Sequence, residues 1–203
     1  MRTFEKSRVV LGRIGAALAL GMALLAAQAS WAFDNERVAL VIGNNDYRNV
    51  PPLQKAVNDA RTMSDALKQL GFTVLFAENQ NRKAFSETML AFDKAVEPGD
   101  TAFFFFAGHG FEINGQNYLL PTDIAAVTQG QEELIRDGAF AAERVISRLQ
   151  ARGARTSIFV FDACRNNPFE ATGTRALGGT GGLAPISPPE GVFVIFSAGA
   201  KQT

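Results

Sequence analysis

An α/β fold, with a mainly parallel sheet and helices on both faces, is predicted by three features of the sequence. Five short runs are almost continuously apolar and rich in β-branched or aromatic residues, as strands buried on both faces are. Segments whose apolar residues recur every three or four positions, the period of an amphipathic helix, separate most of these runs. Glycine and proline punctuate the boundaries between the two patterns.

The elements follow in order. Residues 37–43 (RVALVIG) form the first run, and Gly43, Asn44, Asn45 and Asp46 mark the turn after it. Pro51 and Pro52 then introduce a helix whose apolar positions Leu53, Val57, Ala60, Met63, Leu67 and Leu70 step by threes and fours until Gly71 ends it. Residues 72–76 are the second strand. Residues 82–96 are a second helix with Phe85, Met89, Phe92 and Val96 on one face, stopped by Pro98, Gly99 and Asp100 ahead of the strand at 103–106. An Asn114-Gly115 turn between short extended arms predicts a hairpin over 111–120, expected as a flap outside the main sheet. A helix over 139–149 and a strand over 157–161 come next. The glycine- and proline-rich residues 165–191 read as a long mobile loop, and residues 192–196 as one more strand.

The chain has 203 residues, enough for one domain with a sizeable core, and its 20 basic and 20 acidic side chains balance. That balance excludes a polyanion as the obvious partner, so no nucleic acid is expected. Lys6, Arg8 and Arg13 precede an apolar stretch over 14–27 and the small residues Ala29, Ser30 and Ala32, the layout of a secretory signal peptide over 1–32. The stretch is short for a bilayer crossing, so cleavage after Ala29 or Ala32 is expected in place of a membrane anchor. The mature domain would then cover 33–203 and be periplasmic or secreted.

Export usually brings disulfides, yet Cys164 is the only cysteine and cannot form one within the chain. His109 is likewise the only histidine. Each follows an apolar run directly, and ligands of such sheets bind at the carboxyl ends of the strands, so one topological rule brings the two into one crevice. A thiol beside an imidazole is what nucleophilic catalysis by cysteine needs. The plainer alternative for Cys164 is a buried apolar thiol, although a surplus core cysteine is expected within a strand and not past its end. Gly108 and Gly110 flank His109 without side chains, which lets a substrate backbone approach and leaves the Gly110 amide free to face a developing oxyanion, with the Cys164 amide as a second donor. A simple tight turn would also use these glycines.

The strings FFFFAGHG and, after a hairpin and a helix, FVFDACRNNPF, together with RVALVIGNNDY and LQKAVNDARTMSDALKQLGF, resemble the caspase-like cysteine peptidases, in the bacterial branch near the metacaspases and orthocaspases. His109 and Cys164 lie 55 residues apart, close to the spacing of about 50 in the caspase signature. The resemblance implies a three-layer α/β/α caspase-like fold, Cys164 as nucleophile, His109 as general base and acid, and the Gly110 and Cys164 amides as the oxyanion hole. Asp162 stands where caspases carry glutamine. In the metacaspase-like pattern that position and a second aspartate, matched here by Asp59 in Val-Asn-Asp-Ala, form an acidic pocket for arginine or lysine before the scissile bond. Two such carboxylates would hold a guanidinium and repel an acidic side chain. Without the resemblance, Asp59 reads as an exposed helix carboxylate and Asp162 as a strand-end residue serving turn amides.

The resemblance also makes Arg165 and Arg175 candidates for self-cleavage, and it implies that the sequence stops before a final strand and helix, leaving the sheet edge at 192–196 unpaired. No cofactor is expected. One histidine and one cysteine cannot build a structural zinc site, and no calcium loop stands out, although some metacaspase-like enzymes are calcium-activated. The expected partner is a peptide or protein with a basic residue before the cleaved bond. A catalytically weak scaffold of the same fold is one alternative, and an unrelated α/β domain binding a small ligand is another. The lack of a glycine-rich phosphate loop counts against the second.

Overall fold

The computed structural model describes residues 36–128, 130–164, 168, 169 and 183–197, with Cys164 described through its backbone. The signal peptide expected over 1–32, the candidate cleavage sites Arg165 and Arg175, most of the loop expected over 165–191 and the end of the chain lie outside the described residues. The elements run β1 (Arg37–Gly43), α1 (Ala56–Gln69), β2 (Thr73–Glu78), α2 (Arg82–Ala95), β3 (Thr101–Ile113), β4 (Gln116–Leu119), α3 (Glu132–Gly138), β5 (Phe140–Ala141), α4 (Ala142–Ala151), β6 (Thr156–Cys164) and β7 (Val192–Phe196).

Five strands form a parallel sheet in the order β2-β1-β3-β6-β7. Its two faces explain the continuous apolar runs. Leu40, Ile42, Phe104, Phe106, Phe159 and Phe161 pack with Phe85, Met89 and Phe92 of α2 and Val145, Ile146 and Leu149 of α4. The alternate residues Ala39, Val41, Phe105 and Ala107 pack with Ala56, Ala60 and Leu67 of α1 on the other side. A strand sandwiched between helices has no polar face, so the two-residue alternation of a surface strand is absent and helices form the outer layers. The result is a three-layer α/β/α arrangement.

Several boundaries differ from the sequence reading. The hairpin is not a separate flap, because its first arm is the continuation of β3: residues up to His109 pair in parallel with β6, and Gly110 to Ile113 pair antiparallel with β4. Asn114 and Gly115 turn the chain there with φ of 52° and 81°, the left-handed pair that a tight two-residue hairpin requires. The helix expected from residue 139 starts at Ala142, since Phe140 and Ala141 are taken by pairing with β4. Helix α3 has Ile135 as its one buried residue, so it shows no apolar period in the sequence. Leu53 precedes α1, which begins only at Ala56, where the Val57 amide donates to the distant Asn45 side chain at 3.2 Å.

The largest difference concerns the two reactive residues. Neither lies past a strand end: His109 is within β3 and Cys164 is the last residue of β6, and the two are register partners on the last rung of the β3–β6 ladder. The ladder outlasts the β1–β3 pairing, which stops at Gly43 and Ala107, so that rung still sits at the carboxyl edge of the sheet. At the opposite lateral edge β7 pairs only with β6 among the described residues, and its Phe193 and Ile195 are exposed.

Candidate active site

A ladder rung sets neighbouring strands about 4.8 Å apart. The parallel register therefore brings the backbones of His109 and Cys164 side by side although 55 residues separate them. Hydrogen-bonded pairing, and not the point at which a strand stops, fixes this placement.

The His109 side chain is buried and its orientation is set by backbone groups. Nε2 lies 2.8 Å from the Pro51 carbonyl oxygen. A carbonyl can only accept, so Nε2 carries the proton and Nδ1 keeps the lone pair of the neutral ring. Nδ1 is buried and has no hydrogen-bond partner among the described residues. Burial pushes the imidazole below its ordinary pKa, with the Pro51 carbonyl pulling more weakly the other way. The ring is thus kept neutral, with an unengaged basic nitrogen.

Tyr47 holds the same residue from the other side. The His109 amide donates to the Tyr47 hydroxyl at 2.8 Å, the hydroxyl donates to the Leu120 carbonyl at 3.1 Å, and the Leu120 amide donates to the His109 carbonyl at 3.0 Å. The hydroxyl is therefore inserted into the β3–β4 ladder where a direct bond from His109 to Leu120 would otherwise close the pair. The two rings also meet, with centroids 4.5 Å apart and planes inclined by 55°. A side chain at Gly108 would bring a Cβ within 2.7 Å of the Tyr47 hydroxyl, so the glycine before His109 makes room for this tyrosine. Since His109 and Leu120 form a hydrogen-bonded pair, the next pair, Gly110 and Leu119, is of the other kind, and the Gly110 N–H is directed away from β4. Gly110 has its own spatial need, because a Cβ there would lie 2.9 Å from both Ala163 and Leu183.

The loop that supplies Tyr47 and Pro51 is pinned by asparagines. The Asn44 side chain accepts from the Gln80 amide at 2.8 Å and donates to the Leu120 carbonyl at 3.3 Å, while its own amide donates to the Ala107 carbonyl at 2.9 Å. The Asn79 side chain accepts from the Asn45 and Asp46 amides at 2.8 and 3.1 Å. Three short polar side chains, with Asn45 on the Val57 amide as the third, thus satisfy backbone groups that a sheet or helix would otherwise have to satisfy. Sequence reasoning passed over both Tyr47 and Pro51. Pro51 acts through its carbonyl, which every residue type has, and Tyr47 was visible only as part of the Asn-Asn-Asp-Tyr string.

Asp59 and Asp162 come together in the fold. Both line one open pocket of about 450 Å³, with Pro52, Leu53, Gln54, Lys55, Ala56 and Gly108 as the remaining wall. Asp59 projects from α1 and is exposed, whereas Asp162 is half-buried in β6, two positions before Cys164, and accepts a hydrogen bond from the Ser197 hydroxyl. Two of the lining residues adjoin the His109 site in sequence: Gly108 precedes His109, and Pro52 follows the Pro51 whose carbonyl holds Nε2. Lys55 brings one positive charge to the same wall. Among the described residues no group of three or more histidine, cysteine, aspartate or glutamate side chains could hold a metal ion, and no helix is long and apolar enough to cross a membrane.

Comparison with known proteins adds to this geometry. The model of the caspase domain of peptidase family C14 matches residues 36–203. The human mucosa-associated lymphoid tissue lymphoma translocation protein 1 is 28% identical over 142 residues, which are 68% of this chain and 16% of that protein. A probable protease from a Desulfuromonadales bacterium is 29% identical over 83 residues, 39% of this chain and 9% of its own length. The chain spans 16% or less of the curated relatives it matches. A solved protein from Geobacter sulfurreducens aligns with a TM-score of 0.47 at 15% identity, covering 68% of this chain and 54% of its own.

Proposed function

Since the chain belongs to the caspase-domain family of peptidases, with its three-layer fold, we propose that it is a cysteine-type endopeptidase that works through Cys164 and His109 and cuts after arginine or lysine. The observation that supports this most is the state of His109: Nε2 is held by the Pro51 carbonyl and Nδ1 is unengaged, on the rung that pairs with Cys164.

In this reading Nδ1 takes the thiol proton of Cys164, and the thiolate attacks the scissile carbonyl carbon. The carbonyl oxygen becomes an oxyanion, received by the amides of Gly110 and Cys164. Collapse of the tetrahedral adduct breaks the C–N bond, and the proton on Nδ1 goes to the leaving amine. A thioester remains. Water then attacks the thioester carbonyl, giving a proton to Nδ1, and the returning proton restores the Cys164 thiol as the acid product leaves. A neutral ring starts each half with its Nδ1 lone pair available, and the lowered proton affinity favours handing the proton on to the leaving group.

Asp59 and Asp162 supply the preference. A guanidinium or ammonium entering their pocket meets two carboxylates, one of them half-buried, and an acidic side chain meets repulsion. The Lys55 charge on the wall offsets part of this attraction and leaves one net negative charge among the lining residues. Export through the signal peptide at 1–32 belongs to the same proposal, with N-terminal sequencing of protein from the cell envelope expected to begin near Phe33. Fluorogenic peptides test the specificity: those ending in arginine or lysine are expected to be cut and those ending in aspartate to be spared. Faster cutting after aspartate would refute the acidic-pocket assignment, and no cutting of any peptide by folded protein would favour a scaffold role.

A further inference from the structure

A second pocket, of about 420 Å³, lies in the layer of α2 and α4, on the face of the sheet opposite α1 with its Asp59. Its wall contains four arginines drawn from three helices: Arg82 from α2, Arg136 from α3, and Arg144 and Arg148 from α4. Guanidinium groups brought around one cavity repel each other unless anions lie between them. Two of the four are matched by carboxylates. Arg148 forms an ion pair with Asp93 through two nitrogens, and Arg136 pairs with Glu133 at 3.2 Å.

The guanidinium groups of the other two form no ion pair among the described residues, although the backbone amide of Arg82 donates to the Asp123 carboxylate at 2.8 Å. Arg82 lies 5.5 Å from the centre of the Phe140 ring and gives one hydrogen bond, at 3.3 Å, to the Ala139 carbonyl, leaving its remaining donors open. The Arg144 side chain, on an exposed residue of α4, makes no hydrogen bond or ion pair among the described residues. Asp137 is the one carboxylate in the lining itself. In addition, Nε of Arg136 is buried without an acceptor among the described residues. A buried guanidinium N–H left unpaired is costly, and its presence beside two unneutralised arginines points to an acceptor supplied from outside.

From this cluster we propose that the pocket is a binding site for a small anion bearing several oxygens, separate from the peptide-cleaving site. The size suits a small molecule, and the forked donors of arginine suit the oxygens of a phosphoryl group or a carboxylate. Phosphoryl and carboxylate ligands share this chemistry, and the experiment separates them.

The test is calorimetric titration of the whole folded protein with pyrophosphate in one series and citrate in another, at near-physiological ionic strength so that diffuse surface attraction is screened. Saturable binding of one anion per chain is expected in at least one series, and the tighter series identifies the phosphoryl or carboxylate class. The variants Arg144→Ala and Arg82→Ala each remove one unneutralised guanidinium, and each is expected to weaken binding about tenfold. Asp59→Ala, in the other pocket, is expected to leave it unchanged. No saturable heat in either series, or equal binding by Arg144→Ala and Arg82→Ala once their folding is verified by circular dichroism, would overturn the proposal. Since no step uses peptide cleavage, the result is independent of whether Cys164 is catalytic.

Discussion

The two sides of the candidate active site are built differently. Around His109 every contact that sets the ring is short, buried and made to a backbone group or to Tyr47, whose hydroxyl replaces a bond of the sheet itself. Around Asp59 and Asp162 the pocket is open, one carboxylate is exposed, and a lysine shares the wall. Under the proposed function the contrast follows from what each side would do. Proton transfer needs one nitrogen in one position, and rigid neighbours supply that. Recognition of a long basic side chain needs charge of the correct sign, which solvated carboxylates provide without a fixed geometry.

Substitutions should therefore divide by side, and the largest effect belongs to the buried one. His109→Ala is expected to lower kcat on an arginyl peptide by about a thousandfold or more with little change in KM, as loss of a catalytic base does. Asp162→Asn should lower kcat/KM for the same peptide by about a hundredfold, and Asp59→Asn by about tenfold, since the half-buried carboxylate is less screened than the exposed one. Equal losses in the two variants would erase the distinction between them. Tyr47→Phe keeps the ring contact but strands the His109 amide, while the Leu120 carbonyl keeps the Asn44 side chain as its donor. About a tenfold fall in kcat at unchanged KM is expected, with about 1–3 kcal/mol of stability lost in urea unfolding. A loss of stability with kcat intact would reduce Tyr47 to a structural part.

The smallest effect is on stability against pH. Burial lowers the folded-state pKa of His109, so the unfolded chain binds that proton more readily. The contribution is fully present above the ordinary value of about 6.5 and is lost as pH falls from there through the folded pKa. Urea midpoints should therefore decline between those limits in the parent protein. His109→Gln should remove that part of the decline.

Much of the fold was legible in the sequence because of what burial does to composition. Phe104, Phe106, Phe159 and Phe161 are enclosed between layers, and an unbroken apolar run of this length is what a strand covered on both faces requires. Asp59 and Asp162 could be named as candidates because charge at a given position is a side-chain property and the resemblance supplied both positions. Pro51 and the register of His109 with Cys164 could not be read, since each depends on backbone groups that any sequence possesses. Helix α3 escaped because a helix with one buried residue has no period to detect. The arginine pocket escaped for a related reason: its four charges are scattered from residue 82 to residue 148 and converge only when α2, α3 and α4 pack.

The central claim is that His109 activates Cys164 within a site that reads a positive charge. Mass spectrometry of protein treated with an arginyl chloromethylketone tests it directly. The account predicts one adduct on Cys164 in the parent protein, absent in Cys164→Ala and nearly absent in His109→Ala. Labelling of Cys164 at the same rate in His109→Ala would identify a passive thiol and contradict the account.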